Sequence, residues 1–279
     1  MGRDKFSWTM TNLPASGIRG LKPEEIGVVY QPIVEIATKR VFAQEVLVRC
    51  TRPEWKAPPV LFETAVKEEA CGRLGRLIRT KAFEGASGVS LFVNLHPAEL
   101  SSHWLVQPDD PIGFHDKLVF LEITETAAFS HHELCMSVLR DLCRRTGAYL
   151  VIDDFGAGYS NLERVVDLEP AIVKLDLALT RDIHKHRRKQ AVARHVAALC
   201  KELGSRVVAE GIESADELAC IEDLGIEFVQ GYYIARPASP MPLPEGVWSS
   251  PAAAPAVAPP VPSTRRTRPS LRAKSRSGR

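Results

Sequence analysis

Asp153 and Asp154 stand side by side at the end of the apolar run AYLVIDDF, where like charges repel. Other apolar runs finish in the same way, on or near Glu45, Asn94, Glu122 with Glu125, Lys174 with Asp176, Glu210 with Glu213, and Gln230. Strands that only build a core stay apolar there. If the strands run parallel and close into a barrel, their C-terminal ends open on one face and these groups meet in one mouth. Carboxylates crowded together raise one another's pKa unless cationic charge shares the space. The ligand set is all oxygen, with no Cys and no His at a strand end, which favours Mg2+ or Mn2+ over Zn2+. Adjacent aspartates suit two ions, because one carboxylate bridges while its neighbour reaches only the second. Two ions about 3.5 to 4 Å apart clamp the attacking and leaving oxygens of an in-line displacement at phosphorus, so the pattern points to phosphodiester hydrolysis.

Each residue also has a plainer reading. Taken alone, Glu45 or Asp176 reads as a salt-bridge partner, and Lys174 beside Asp176 as a structural pair. Gly156 and Gly158 serve either a tight turn or a loop shaped to admit substrate. The histidines fall mostly in polar or helical segments, including the His131/His132 pair opening a helix, and read as surface or packing residues.

The elements that must position these groups are legible as short apolar runs at 28–36, 41–48, 89–95, 117–124, 148–155, 171–177, 206–212 and 228–235. Between most of them lie segments of helical spacing: 61–83, 133–147, 187–204 and 214–225, each closing on or near a glycine. Strand, helix, strand is the βαβ signature. Only residues 37–40 separate the first two runs, enough for a hairpin and too few for a parallel crossover, so one of the two strands runs antiparallel. The expected fold is an α/β, TIM-like (β/α)8 barrel with one antiparallel strand near the start.

Composition sets the bounds. The 279 residues are 45% hydrophobic and 25% charged, ordinary for a soluble protein. Six scattered cysteines without a C-x-x-C pair suggest reduced thiols, no zinc and a cytoplasmic location. No apolar stretch predicts a leader or a membrane span. The net charge of +2 hides seven basic and no acidic residues in 265–279, which leaves the remainder at about −5. Nine prolines in 237–262 predict a disordered segment before that basic end. The tail reads as solvated chain, with a nucleic-acid contact through phosphate charge as the lesser alternative. The expected division is a short N-terminal extension over 1–27 with no further domain in it, a folded domain over 28–237, and a Pro/Ala-rich and basic tail over 238–279.

From about Val28 to Pro237 the sequence resembles an EAL domain, the bacterial cyclic di-GMP phosphodiesterase family. The resemblance rests on eight ordered segments: YQPIVEI, EVLVR, VNLHP, LEITET, IDDFGAGYSNL, VKLD, VAEGIE and VQGYY. The separations from Asp154 to Lys174, Lys174 to Glu210 and Glu210 to Gln230 also suit the family. The resemblance implies that Glu45, Asn94, Glu122 and Asp153 ligate metal, with Asp153 and Asp154 reaching the second of two Mg2+ or Mn2+ ions and Glu210 serving as its ligand or as general base. It implies that Lys174 orients the nucleophilic water, that Glu125 holds the DDFGAGYSN loop, and that Gln230 closes the last strand. Gln31, Leu47, Arg49 and Asp176 match positions that contact the dinucleotide, Arg49 through a planar fork suited to phosphate. The implied reaction opens one phosphodiester of cyclic di-GMP to give linear pGpG. The alternative is a non-hydrolytic cyclic di-GMP receptor that signals through a protein partner. Val46 stands where the family has alanine, His96 where serine is common and Ala157 where threonine is common. Added methyls at Val46 are placed to shift Glu45, and a misplacement of about 1 Å costs on the order of 100-fold in rate. The family also implies a homodimer through residues near Tyr159 to Asp167, with regulation by a partner, the tail or expression, since no G-G-D-E-F motif is present.

Overall fold

Eight strands form among the described residues because each carries a short β-branched or aromatic run bounded by turn residues. The computed structural model describes residues 17–100, 109–124, 132–157 and 162–242. The strands are β1 (Ile26–Glu35), β2 (Arg40–Cys50), β3 (Leu91–Asn94), β4 (Val119–Thr124), β5 (Tyr149–Phe155), β6 (Ile172–Leu175), β7 (Arg206–Ala209) and β8 (Phe228–Val229). They close into one barrel in sequence order. β1 runs antiparallel to both β2 and β8, and every other neighbouring pair is parallel. The hairpin between β1 and β2 is therefore the source of the one reversed strand. Ile18 and Leu21, inside the segment expected as an extension, are buried in the outer core.

Side chains alternate across a strand, so every second residue faces the barrel axis. Ile33, Ala43, Phe92, Phe120, Val151, Ile172, Val208 and Phe228 form one buried cluster that fills the floor. Phe92 and Phe120 stack with centroids 4.5 Å apart, and Phe42 lies 4.4 Å from Phe228. Arg206 closes this end, its guanidinium 3.9 Å over the Phe228 ring and paired to Glu35 at 3.0 Å. The opposite faces of the strands, including Val46, Val93, Leu121, Ile152 and Val173, pack into the layer beneath the helices.

The helices are α1 (Pro58–Lys67), α2 (Cys71–Glu84), α3 (His132–Thr146), α4 (Leu162–Leu168), α5 (Leu177–Thr180), α6 (Arg187–Glu202) and α7 (Ala215–Asp223). The single helical stretch expected over 61–83 is two helices. Glu69 adopts a left-handed φ of 52°, and the Ala70 amide closes α1 on the Ala65 carbonyl at 2.7 Å. Among the described residues no helix is long and apolar enough to cross a membrane.

One polar cluster lies inside the outer layer. Arg79 of α2 pairs with Glu99 at 2.7 Å and Asp110 at 2.8 Å, all three nearly inaccessible to water. Glu99 ends the 3-10 turn Pro97–Glu99 that follows β3, so the triad ties α2 to the rim above that strand. Gly75, one turn before Arg79, leaves room for this carboxylate, and a methyl group there would overlap Glu99. Arg79→Ala strands two buried carboxylates and is expected to lower the unfolding free energy by about 3 to 5 kcal/mol, read as a fall in the urea midpoint. An unchanged midpoint would refute the importance of the triad.

Candidate active site

The mouth of the barrel is the floor pattern moved by two residues. On the strands running outward, Ala43, Phe92, Phe120, Val151, Ile172, Val208 and Phe228 are each followed two positions later by Glu45, Asn94, Glu122, Asp153, Lys174, Glu210 and Gln230. On the reversed β1, Gln31 lies two positions before Ile33 and pairs in register with Glu45. One inward residue per strand thus builds a ring of four carboxylates, one ammonium and three carboxamides.

Lys174 is the hub. Its ammonium is fully buried and lies 2.6 Å from Glu122 Oε1, 2.6 Å from Glu210 Oε1, 3.1 Å from Asp153 Oδ1 and 3.6 Å from Glu45 Oε2. The carboxamides fix the acids from the sides. Asn94 Nδ2 donates to Glu122 Oε2 at 3.1 Å, and Gln230 Nε2 donates to Glu45 Oε2 at 2.5 Å and to Gln31 Oε1 at 3.2 Å. Gln31 in turn donates to the Ala235 carbonyl at 3.1 Å. The backbone beneath Glu210 is held by Thr180, whose hydroxyl donates to the Glu210 carbonyl at 2.5 Å.

The paired aspartates are reconciled by a break in the strand. Regular alternation would send Asp154 to the outer face, but Asp154 takes a left-handed φ of 58° and the ladder to β6 slips between Ile152 and Phe155. Such a bulge re-aims one side chain without ending the sheet. Carboxylate oxygens of Asp153, Asp154 and Glu210 consequently lie within 4.8 Å of one another.

The charge in the mouth is unbalanced. Burial, reinforced by Glu45 and Asp153, holds the Glu122 carboxyl well above the usual carboxylate range despite Lys174. Burial likewise pushes Glu210 up to about 8, with Asp153 and Glu45 adding to the shift and Lys174 opposing it. For Lys174 burial pulls downward, yet the surrounding acids win and its pKa lies well above the usual lysine value. Lys174 meets these acids as an ion pair at angles poor for hydrogen bonding, so Glu122 Oε1, Asp153 Oδ1 and also Gln230 Oε1 keep buried lone pairs without a hydrogen-bond donor. The unpartnered Gln230 oxygen and the excess negative charge that one ammonium leaves on a hard, all-oxygen donor set fit a divalent cation such as Mg2+ or Mn2+.

The other expected residues divide. Leu47, Arg49, Asn94, Glu122, His96 and Phe62 line a cavity of about 470 Å³ that opens beside the ring. Arg49 is exposed, with Nη1 donating to the Val48 carbonyl at 2.8 Å. Asp176 caps α5 by accepting the Ala178 amide at 2.7 Å, and it is not a partner of Lys174. Glu213 pairs with exposed Arg181 at 3.1 Å and stays out of the ring. Val46 is buried in the outer layer, facing away from Glu45, so its extra methyls shape the cavity wall. Glu125, Gly158, residues 159–161 and the tail beyond 242 lie outside the described residues. Thr180 and Phe62 escaped the sequence reading because neither a hydroxyl in LDLALT nor one aromatic in a helix carries a signal of its own.

Glu122 and Glu210 bind protons more tightly in the fold than in the unfolded chain, where a glutamate titrates near 4.5. The stability they contribute is full below that value and is lost as pH rises, for Glu210 through about 8. In EDTA the urea midpoint is therefore expected to fall between about pH 4.5 and pH 8, and Glu210→Gln to flatten the fall. A midpoint that climbs over that range would contradict the assignment.

Comparison with known proteins agrees with this architecture. The family model for the EAL domain matches residues 18–237. The cyclic di-GMP phosphodiesterase RocR of Pseudomonas aeruginosa is 32% identical over 236 residues, which cover 80% of this chain and 60% of RocR. The cyclic di-GMP phosphodiesterase PdeR of Escherichia coli is 31% identical over 246 residues, covering 84% of this chain and 36% of PdeR. The chain thus spans less than two thirds of these relatives' length. Among solved structures, a manganese and cyclic di-GMP complex of Klebsiella pneumoniae BlrP1 superimposes with a TM-score of 0.67 at 33% identity, covering 78% of this chain and 57% of BlrP1. An EAL domain protein from Listeria monocytogenes matches with a TM-score of 0.67 at 26% identity, over 79% of this chain and 90% of that one. The chain belongs to the EAL domain family.

Proposed function

We propose that this chain hydrolyses one phosphodiester of cyclic di-GMP to linear pGpG in a reaction that depends on two divalent ions, Mg2+ or Mn2+. The observation that carries the proposal is the ring around Lys174, where four carboxylates share one ammonium and leave an excess of negative charge. By the family resemblance Glu45, Asn94, Glu122 and Asp153 hold one ion, and the clustering of Asp153, Asp154 and Glu210 oxygens within 4.8 Å supports those three as ligands of the other. Lewis acidity toward a phosphoryl oxygen and activation of water are what the ions supply when bound.

The chain's own residues do the rest. Lys174, locked by its acids, holds positive charge where the attacked phosphorus must sit and orients the incoming water. Glu210, with its raised proton affinity, either takes the water's proton or ligates the second ion. Gln230 and Gln31 fix the angle of Glu45. Arg49 on the cavity wall offers a planar fork to the second phosphate, Leu47 gives the nucleotide an apolar wall, and Asp176 contributes at the rim while capping α5. Glu125 is assigned to holding the loop after β5. This chemistry suits a cytoplasmic second-messenger enzyme, and regulation by a protein partner fits the same setting.

Purified protein with Mn2+ is expected to convert cyclic di-GMP to pGpG, and EDTA to abolish turnover. Glu45→Ala and Lys174→Ala should each lower kcat by about 100-fold or more, as for loss of one preorganised charge. Unchanged turnover in either variant would remove the mechanism, and tight binding without turnover in the wild type would leave a receptor. We further propose a homodimer through α4, where Leu162 and Val166 are 51% and 61% exposed one turn apart. Val166→Glu should halve the mass seen in sedimentation, and a monomeric wild type would refute the pairing.

A further inference from the structure

The carboxylate ring accounts for the phosphate chemistry, but not for the rest of the adjoining cavity. One residue of its lining is His96, which the sequence alone reads as a surface or packing residue. It is half-buried and lines the cavity together with Val46, Phe62, Val93, Asn94 and Glu122. A volume of about 470 Å³ lies within the roughly 300 to 1,000 Å³ typical of small-molecule sites.

Three contacts hold His96 in one pose. Its ring stacks on Phe62 of α1, with centroids 5.6 Å apart and planes 7° from parallel. Its backbone amide donates to Glu99 Oε1 at 3.1 Å, and Glu99 is itself clamped by buried Arg79. Its Nδ1 accepts the Ala98 amide at 3.2 Å and caps the 3-10 turn Pro97–Glu99. An Nδ1 that accepts carries no proton, so the ring proton resides on Nε2 and that nitrogen is a donor. Among the described residues Nε2 has no hydrogen-bond partner.

We propose that His96 is a specificity-determining residue, donating its Nε2–H to O6 of a guanine base lodged in this cavity. The inference rests on the cyclic dinucleotide reading of the site. A phosphate at the ring leaves its attached nucleoside facing the cavity mouth, where the flat apolar walls suit a purine. Guanine presents O6 and N7, both acceptors, along one edge, whereas adenine sets an N6 amino donor in place of O6. Adenine keeps N7 as an acceptor, so the discrimination comes from the O6 position, where a fixed donor attracts guanine and opposes adenine. Discrimination of this kind is strong because a buried donor facing another donor loses its partner altogether.

The test compares the full chain with His96→Phe, which keeps an aromatic ring against Phe62 and removes the donor, and with His96→Gln, which restores a donor. Binding of cyclic di-GMP and of cyclic di-AMP is measured by calorimetry in EDTA, and kcat/KM for both with Mn2+. His96→Phe is expected to reduce the preference for the guanine dinucleotide about tenfold in both readouts, with partial recovery in His96→Gln. A purely structural role would weaken both ligands alike and leave the ratio unmoved. Should His96→Phe fail to fold, Phe62→Leu, which removes the stacking ring but keeps the donor, is expected to lose part of the same ratio. A ratio in the folded variant equal to wild type overturns the inference while wild-type turnover leaves the proposed function standing. A wild type that neither binds nor cleaves cyclic di-GMP overturns both.

Discussion

A lysine ammonium stripped of water is tolerable only where opposite charge surrounds it, and four acids, three in strands β2, β4 and β5 and one just past β7, surround Lys174. This constraint organises the molecule. The acids are separated by up to 165 positions in sequence, from Glu45 to Glu210, so only a closed sheet with every strand in register brings them to one point. The ring is also a poor source of stability. Burying the charges costs several kcal/mol per ion, and their mutual attraction offsets this only in part. The aromatic floor and the outer layer under the helices must carry the fold, and the mouth draws on what they supply. The raised proton affinities of Glu122 and Glu210 are the molecule's own partial answer, since two protons relieve some of the repulsion that one lysine cannot.

The three carboxamides follow from the same constraint. A further lysine or arginine in the ring would neutralise the acids and leave no excess charge for a cation, and a further acid would deepen the repulsion. Asn94 and Gln230 donate hydrogen bonds to carboxylates, and Gln31 accepts from Gln230 while donating to the Ala235 carbonyl; adding no charge, the three fix geometry and leave the electrostatic deficit intact. Support then passes outward. Gly231 sits so close to the Ile212 backbone that any side chain would overlap it, which packs the loops after β7 and β8 together behind Glu210 and Gln230. On the far side Arg79, Glu99 and Asp110 do for the rim above β3 what those loops do here.

Most of the fold was legible because its signals are local. Eight apolar runs became eight strands, and four residues between the first two forced the reversed strand without any tertiary information. The ring residues were legible as well, since a charged or carboxamide group near the end of an apolar run breaks the rule for a core strand, and the break recurs on one run after another. What escaped depends on contacts distant in sequence. The split of 61–83 into α1 and α2 turns on a left-handed Glu69 that no propensity demands. The bulge that returns Asp154 to the mouth arises from a slip against β6, so the sequence posed the puzzle of two adjacent aspartates without resolving it. Asp176 had two readings open, and its visible bond is the local one, a helix cap.

His96 illustrates the limit most sharply. A histidine after a strand has no period or spacing to mark it, and its chemistry depends on which ring nitrogen holds the proton. That choice is made by an amide two residues on, while the pose is set by Phe62 more than thirty residues earlier and by an arginine in α2. A group becomes selective only when its donor is fixed in both identity and direction, because a ring free to rotate or to exchange tautomers satisfies donor and acceptor alike. The buried triad behind Glu99 thereby acquires a reason beyond stability. Apolar residues of equal volume would pack α2 against the rim as well or better, but they would not hold the turn that presents His96 at one angle to the cavity.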